Sequence, residues 1–435
     1  MSTSENIHII GQGTYGCVYK PHFDCKTYKP KSGESNNFLS KIQLENNITK
    51  NEIKIGKLVK SIPRSRNYFA AIEEDCTITI GKLNETGIEK CKMLEKFEKD
   101  AHPKSKLKST KISYAGKKTL TEYLESELIN TKKDTRTNVD NYLKKIANTH
   151  LYLLESVQLL IDKKIIHMDL KHNNIIYNGR FPIIIDFGIS YDGNNLSLEN
   201  YKKTKKPFGI RAPFYMPWCF EIVLLSNISH DVFKHTPEEL EKKMNTRLSQ
   251  EDILYLKKIV EEYVKLHNLL QNTNLFTDEE RKTYIEKLND YINTFIGKTW
   301  GEVWIIITNS NNTWDNYSIS IMYFLELKIS GLVDVSKSSQ SNHFLKIYID
   351  KIKKNILSGP QERESPSVTL GQLKTIFGKI KKQEYNDLKS SIKITVQENK
   401  EKMIEERAKV NTNTLNEEAV MVKKYNKVVQ EKRKD

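Results

Sequence analysis

The sequence has few cysteines and no long hydrophobic run, and these absences exclude several classes of protein. Its 435 residues include five cysteines, with no C-x-x-C pair and no histidines at zinc-ligand spacing. We therefore expect free thiols in a reducing compartment and no zinc site. No apolar stretch reaches the roughly 18 residues of a membrane span, and the N-terminus lacks the basic, apolar and small-residue succession of a secretory signal. The sequence predicts a soluble, intracellular and cytoplasmic protein.

Basic residues outnumber acidic ones, 70 Lys and Arg against 55 Asp and Glu, which gives a formal net charge of +15. Such an excess favours acidic partners, including nucleic acid and anionic membrane surfaces. The basic residues are scattered along the chain rather than gathered into one stripe. This distribution is typical of a solvated surface, so we expect no nucleic-acid partner. The hydrophobic content of 38% is sufficient for a sizeable core.

A glycine-rich turn lies between two predicted strands near the N-terminus, in the sequence G-Q-G-T-Y-G-C-V at 11–18. Glycines let the backbone approach phosphate oxygens and offer N–H donors. Dinucleotide-binding folds share this spacing, but there the third glycine opens a helix, whereas C-V-Y after Gly16 favours a strand. The expected phosphate-binding loop consists of Ile10, Gly11, Gln12, Gly13, Thr14, Tyr15, Gly16 and Val18.

Two charged residues follow this loop at positions suited to an ion pair. Lys41 interrupts an apolar strand at 38–42, and Glu52 lies in a helix-like segment. Glu52 is our candidate partner for Lys41, in preference to two alternatives: Glu45 is also within range, and Glu52 could be a surface glutamate on a charged helix.

The most specific segment is H-M-D-L-K-H-N-N at 167–174, preceded by a helical pattern from Asn141 with Asp140 as its expected N-cap. Strands at 175–177 and 183–185 flank a turn signal and precede D-F-G at 186–188. Folding this hairpin about residue 180 sets Asn174 opposite Asp186. An amide oxygen and a carboxylate beside a phosphate-binding loop suit Mg²⁺.

In this order, the segments resemble the eukaryotic-type protein kinase family over residues 7 to 380. The resemblance implies an α+β, two-lobed fold with a small, mainly β N-lobe at 1–116 and a large, mainly α C-lobe at 117–380. It implies that the substrates are Mg-ATP and a protein serine or threonine, because Lys171 stands two residues after Asp169 as in the serine/threonine branch.

The same resemblance assigns a role to each polar residue of the motifs. Lys41 would hold the α- and β-phosphates of ATP, Asp169 would accept the hydroxyl proton, and Lys171 would neutralise the transferring phosphoryl group. Asn174 and Asp186 would hold magnesium. The segment at 112–116 resembles the last N-lobe strand and the hinge that binds adenine, and the lysine-rich stretch at 79–111 before it is expected to be an insertion or long loop.

Two further segments resemble anchors of the large lobe. T-W-D-N-Y-S at 313–318 is similar to the central helix whose aspartate, here Asp315, ties down the catalytic loop. S-G-P-Q-E-R at 358–363 is similar to the turn whose arginine, here Arg363, pairs with a glutamate at the end of the activation segment. The candidate partner, Glu221, is displaced from its usual position, and whether it reaches Arg363 is open.

Other positions depart from the family pattern. Met168 replaces the arginine that usually receives an activation-loop phosphate, and Gly56 stands where an apolar side chain is usual. A helical insert is expected at about 222–312, with helices capped by Ser249 and Thr277. It would pack on the large lobe or dock a partner.

The remaining features concern the tail and the source. Residues 381–435 form a highly charged tail, expected to be a solvated helix or a partly disordered arm. The style of the motifs resembles the kinases of large cytoplasmic DNA viruses, which would place the protein in host cytoplasm or in the virion.

Three functions remain open from the sequence. The first is a protein serine/threonine kinase, favoured because every residue that the chemistry needs is present. The second is a pseudokinase or scaffold that binds ATP or partners without catalysis. The third is a basic nucleic-acid-binding protein on a catalytically dead kinase fold, for which steeply salt-dependent binding would be diagnostic.

Overall fold

The computed structural model describes most of the chain, in two compact units. The described residues are 7–13, 16–22, 24, 37–79, 106–129, 135–204, 212, 215–233, 237–338, 343–378 and 404–409. The first unit is Met1–Leu120 with Asn173–Ser190, and the second is Thr121–His172 with Tyr191–Asp435. An antiparallel sheet near the N-terminus precedes a mostly helical region, so the predicted α+β class is confirmed. The proposed lobe boundary at 116/117 remains a prediction.

The main sheet of the first unit has five antiparallel strands in the order β1-β2-β3-β5-β4. Their bounds are β1 His8–Gly13, β2 Gly16–Lys20, β3 Phe38–Leu44, β4 Ile72–Thr79 and β5 Lys106–Ser113. The expectation of a loop over 79–111 is wrong for residues 106–111, which belong to β5. Leu107, Ser109 and Thr110 are buried there between lysines, and this strand pattern was obscured by the lysine content. Residues 80–105 lie outside the described part.

Helix α1, Asn47–Lys60, packs on β4 of this sheet. Asn46 caps its start by accepting a hydrogen bond from the Thr49 N–H at 3.0 Å. Gly56 faces the Ile72 side chain, and a Cβ added at Gly56 would lie 2.7 Å from two of its carbons. The glycine that departs from the family pattern therefore permits a close approach between the helix and the sheet.

A second, three-stranded sheet in the first unit contains β6 Lys118–Thr119, β8 Ile175–Tyr177 and β9 Pro182–Ile184. Its hairpin turns at Gly179 and Arg180, and the Asn178 side chain accepts the N–H groups of Arg180 and Phe181. Ile175 pairs with Ile184, and the Ile185 N–H donates to the Asn174 carbonyl at 2.9 Å. The predicted register, with Asn174 opposite Asp186, is wrong by one residue because the turn contains an even number of residues.

The second unit consists mainly of helices. In chain order they are α2 Leu120–Ile129, α3 Thr135–Asp162, α4 Leu198–Thr204, α5 Phe220–Asn227, α6 Pro237–Met244, α7 Gln250–Leu266, α8 Asp278–Asn293, α9 Trp300–Thr308, α10 Trp314–Ile329, α11 Leu332–Ser338, α12 His343–Ile356 and α13 Pro366–Gly378. A short pair of strands, β7 Ile165–Ile166 and β10 Tyr191–Asp192, lies between helices in the sequence. Every residue of α10 except Lys328 is buried, so α10 forms the centre of this unit.

The sequence predicted some helix ends correctly and missed one. Capping boxes at Ser249 and Thr277 begin α7 and α8, as expected. The prediction of Asp140 as an N-cap is wrong, because α3 begins at Thr135. The segment T-R-T-N-V-D contains no glycine or proline to prevent helix formation at that point.

The thiols differ from expectation. Cys219 is free and buried, but Cys17 and Cys76 are disulfide-bonded, so the expectation of free thiols is wrong for these two residues. The register Cys17–Ile42, Ile42–Ser109 and Ser109–Cys76 separates them by three strand spacings, too far for a bond to each other. The remaining cysteines, at 25 and 91, lie outside the described residues. Within the described part of the chain, no helix is long and apolar enough to cross a membrane.

Candidate functional site

The glycine-rich segment of the first unit is a tight hairpin between β1 and β2. Gly13 pairs with Gly16, and Gly16 begins a strand as predicted. A Cβ at Gly16 would collide with the Ile42 carbonyl oxygen and the Gln43 side chain, so only glycine allows β2 to approach β3 here. Of the predicted loop residues, the structure places Ile10, Gly11, Gln12, Gly13, Gly16 and Val18 in these two strands, whereas Thr14 and Tyr15 lie outside the described residues.

Lys41 on β3 lies among buried carboxylate and amide groups. Its Nζ is 2.6 Å from Glu52 Oε1 on α1, and both side chains are largely buried. The Gln43 side chain donates to the other oxygen of Glu52 at 2.7 Å. The ion pair expected between Lys41 and Glu52 is therefore present, and Gln43 holds the glutamate in place from the same face of β3.

Asp186 completes this cluster. Its Oδ1 lies 3.1 Å from Lys41 Nζ and accepts the Gly188 N–H at 3.2 Å. Its backbone is left-handed, with φ at 61°, an unusual conformation for a residue other than glycine. Phe187 beside it is buried and lies edge-on to Phe69, with 6.2 Å between the ring centroids.

The charge of Lys41 follows from these neighbours. Burial disfavours the ammonium form, but the carboxylates of Asp186 and Glu52 outweigh burial, and the pKa of Lys41 is raised above its ordinary value. Lys41 is therefore a permanently charged donor at physiological pH. Lys41 lies in the strand next to the glycine hairpin, because it pairs with Val18 of β2 in the sheet.

The residues predicted to bind magnesium are consistent with that ion in chemical type. Asn174 is largely buried. Its backbone carbonyl accepts a hydrogen bond from the N–H of Ile185, the residue next to Asp186. Amide and carboxylate oxygens are hard ligands of the kind that magnesium takes, with water and phosphate completing its shell. No group of three or more His, Cys, Asp or Glu side chains suited to a metal occurs within the described ranges.

In the second unit, Asp315 fixes the loop that carries Asp169. Its two carboxylate oxygens accept the backbone N–H groups of His167 at 2.7 Å and Met168 at 3.0 Å. Asp315 is buried, and desolvation raises its pKa, although His167 and the two N–H groups oppose the shift. The Trp218 indole N–H donates to the Met168 carbonyl at 2.9 Å. The loop is thus held through its backbone, at a residue whose φ is 62°.

Asp169, Lys171 and Tyr215 form one polar cluster. The Lys171 Nζ is 3.0 Å from Asp169 Oδ1 and donates to the Tyr215 hydroxyl at 3.1 Å. The Tyr215 hydroxyl donates to Asp169 Oδ1. The tyrosine is buried and packs edge-on against Trp218, with 5.6 Å between centroids. The hydroxyl of the buried Tyr215 therefore bridges the carboxylate of Asp169 and the ammonium of Lys171.

Arg363 and Glu221 form a fully buried pair. Arg363 Nη1 is 2.6 Å from Glu221 Oε1, and Nη2 is 3.1 Å from Oε2. Both side chains are 0% exposed. Glu221 therefore reaches Arg363 despite its displaced position in the sequence, and it fixes the start of α5, the helix that follows Trp218.

Sequence reasoning missed three residues of these clusters: Gln43, Tyr215 and Trp218. Gln43 could have been found, because it lies two residues after Lys41 on a strand and so shares its face. Tyr215 and Trp218 lie in Y-M-P-W, where an aromatic residue is most simply interpreted as core.

Comparison with known proteins adds no assignment. No protein-family model matches this sequence, and no curated protein is similar to it.

Proposed function

We propose that the protein is a serine/threonine protein kinase with a two-lobed kinase fold, which transfers the γ-phosphate of ATP to a protein hydroxyl with magnesium as cofactor. The observation that carries the proposal is the position of Lys41 Nζ, held between Glu52 and Asp186 on the strand that pairs with the glycine hairpin. A charged donor beside close-approaching backbone amides is suited to polyphosphate.

The first unit would bind the nucleotide. Backbone N–H groups of the β1–β2 hairpin would contact the phosphates, and Lys41 would donate to the α- and β-phosphates while Glu52 and Gln43 fix its direction. Magnesium held by Asn174 and Asp186 would screen the charge on the phosphates. These interactions orient the reacting groups, and most of the rate acceleration in such reactions comes from orientation and charge stabilisation.

The second unit would supply the groups that act on the hydroxyl. Asp169 would accept the proton of the serine or threonine hydroxyl as the new P–O bond forms, and ADP would leave with the electron pair of the broken bond. Lys171 would stabilise the charge of the transferring phosphoryl group. The loop anchors at Asp315 and Trp218 would keep these two side chains in position.

The test is magnesium-dependent transfer of labelled γ-phosphate from ATP to the protein itself and to generic Ser/Thr substrates. Asp169→Ala and Asp186→Asn are each compared with wild type, with folding checked by circular dichroism. Loss of label in both folded variants supports the proposal. Equal label in all three indicates a contaminating kinase, and ATP binding without any transfer favours a catalytically inactive scaffold.

A further inference from the structure

A short helical segment of the C-terminal tail, residues 404–409, contacts α2 and α10 of the second unit through a buried arginine. Arg407 is 6% exposed, in a stretch that the sequence predicted to be solvated or disordered. The segment is helical and mostly exposed, as the sequence predicted for the tail, but Arg407 is buried rather than solvated. The residues on either side of the segment lie outside the described part of the chain.

The partner of Arg407 is Glu326, near the C-terminal end of the buried helix α10. Arg407 Nη2 donates to Glu326 Oε1 at 2.9 Å and Nη1 donates to Oε2 at 3.1 Å. Glu326 itself is 1% exposed. This two-point geometry matches a planar guanidinium and cannot be reproduced by the single ammonium of a lysine.

Two other helices contribute polar groups around the same ion pair. Nη1 also approaches the Thr121 carbonyl at 3.4 Å, and Nε lies 3.7 Å from Glu125 Oε2, both on α2. The Tyr142 hydroxyl, on α3, donates to Glu326 Oε1 at 2.9 Å. We call Glu125, Tyr142 and Glu326 the arginine receptor.

Burial makes the receptor dependent on its occupant. Desolvation opposes the charged form of Glu326, yet Arg407 outweighs it and the pKa of Glu326 is lowered. Conversely, desolvation opposes the charge on Arg407, and Glu326 raises the pKa of Arg407. Without the arginine, a buried carboxylate would keep only the Tyr142 hydroxyl, and removing one partner of such a pair is strongly destabilising.

A charged residue at the edge of this contact also pairs with an oppositely charged residue of the tail. Glu406 lies 3.4 Å from Lys328, the one residue of α10 that is not buried. On the outer face, Lys409 and Glu405 pair with each other at 2.8 Å and touch no charged group of the second unit in the described ion pairs. The segment thus has an inner face with Arg407 and an outer face that is solvated.

We propose that the arginine receptor is a binding site for an arginine-bearing helical segment, and that its occupant is residues 404–409 of the same chain. The tail is then an intramolecular ligand of the second unit. This inference is independent of the proposed catalytic function, because it uses only burial and ion pairing within the second unit.

The test compares full-length wild type with Arg407→Ala, Glu326→Gln and Lys409→Ala. We expect Arg407→Ala and Glu326→Gln each to lower Tm by roughly 5–10 °C, because each leaves one buried charge unpaired. The double variant Arg407→Ala/Glu326→Gln should lose less than the sum of the two. Lys409→Ala, on the outer face of the same segment, should change Tm by about 1 °C or less.

Hydrogen exchange provides a second measurement, which reports on the segment itself rather than on global stability. Amides of 404–409 should be protected in wild type and in Lys409→Ala, partly protected in Arg407→Lys, and unprotected in Arg407→Ala. Sedimentation velocity should show that the protected species is a monomer at every concentration. Protection confined to a dimer would assign the receptor to the tail of a second copy, and identical exchange in Arg407→Ala and wild type would overturn the proposal.

Discussion

The two units hold their candidate functional residues in different ways. In the first unit, side chains are held by other charged or polar side chains, as in the contacts of Lys41 with Glu52 and Asp186. In the second unit, the anchors are buried: Asp315 accepts two N–H groups of the loop before Asp169, and Arg363 pairs with Glu221 with both side chains 0% exposed. The first arrangement includes the partly exposed Asp186, and the second is a frame of buried contacts.

This difference predicts a difference in response to mutation. Changes in the first unit should affect ligand affinity more than folding, because Asp186 is 38% exposed and its contacts are partly solvated. Changes to the buried anchors of the second unit should affect folding first. The four predictions below test this contrast.

The largest effect on stability is expected for Arg363→Ala in the second unit. The substitution leaves the carboxylate of Glu221 buried without its partner, at a cost of about 3–5 kcal/mol in the free energy of unfolding. The matched control is Lys287→Ala, which removes an exposed pair with Glu362 at 2.7 Å and should cost less than about 1 kcal/mol. Urea unfolding curves measure both, and equal losses in the two variants would contradict the frame described for this unit.

The next effect concerns pH, through three histidines of the second unit. Burial lowers the pKa of His150 from 6.5 to about 3 and the pKa values of His172 and His267 from 6.5 to about 4. Because the unfolded chain binds these protons more tightly, stability is fully present above pH 6.5 and is lost as the pH falls towards the folded values. At pH 5 the loss should be about 2 kcal/mol per histidine.

Unfolding by urea at pH 7 and pH 5 checks this expectation. His150→Phe keeps a ring stacked on Tyr323, where the centroids are 4.0 Å apart, and removes one of the three histidines. Its loss of stability between the two pH values should be about two thirds that of wild type. A pH dependence identical to wild type would show that His150 does not contribute.

Lys41→Met in the first unit is expected to change the free energy of Mg-ATP binding, and by less than the changes in unfolding free energy given above. The loss of a charge-assisted donor should weaken Mg-ATP binding by about 10–100-fold. Gln43 still donates to Glu52 in this variant, so Tm should fall less than in Arg363→Ala. Calorimetric titration with Mg-ATP measures the affinity, and Lys54→Met, on the exposed side of α1, is the control that should bind as wild type does.

The smallest effect is expected for Tyr215→Phe, which keeps the ring and removes only the hydroxyl. Asp169 loses one donor, so the cost should be about 1–2 kcal/mol in transition-state stabilisation, or roughly 5–30-fold in kcat, with little change in the KM for ATP. A rise in kcat would show instead that Tyr215 obstructs Asp169.

Much of the first unit could be predicted from the sequence, because its polar residues stand in short contiguous patterns or on strands of regular alternation. The ion pair of Lys41 with Glu52 was expected and is present, whereas the contact of Lys41 with Asp186 was not predicted. The register of the hairpin before Asp186 was not predicted correctly, since one residue in the turn moves every pair.

The second unit was less predictable because its decisive contacts join residues far apart in sequence. Tyr215 reaches Asp169 across 46 positions, and Arg407 reaches Glu326 across 81. Nothing local distinguishes Tyr215 from a core aromatic residue or Arg407 from its charged neighbours. Burial decides both cases, and burial of single residues in such segments follows from tertiary packing alone.

The hairpin at 173–190 belongs to the first unit although the chain has already entered the second. Backbone bonds tie it there, from Ile184 to Tyr68 and from Ala70 to Ile184. During synthesis on the ribosome, the first unit therefore cannot be completed until about 70 residues after residue 120 have been added, which takes roughly 4–14 s at typical rates. Any contiguous gene fragment that encodes the whole first unit also encodes part of the second. The order in which the residues are synthesised therefore differs from the order in which the two units can be completed.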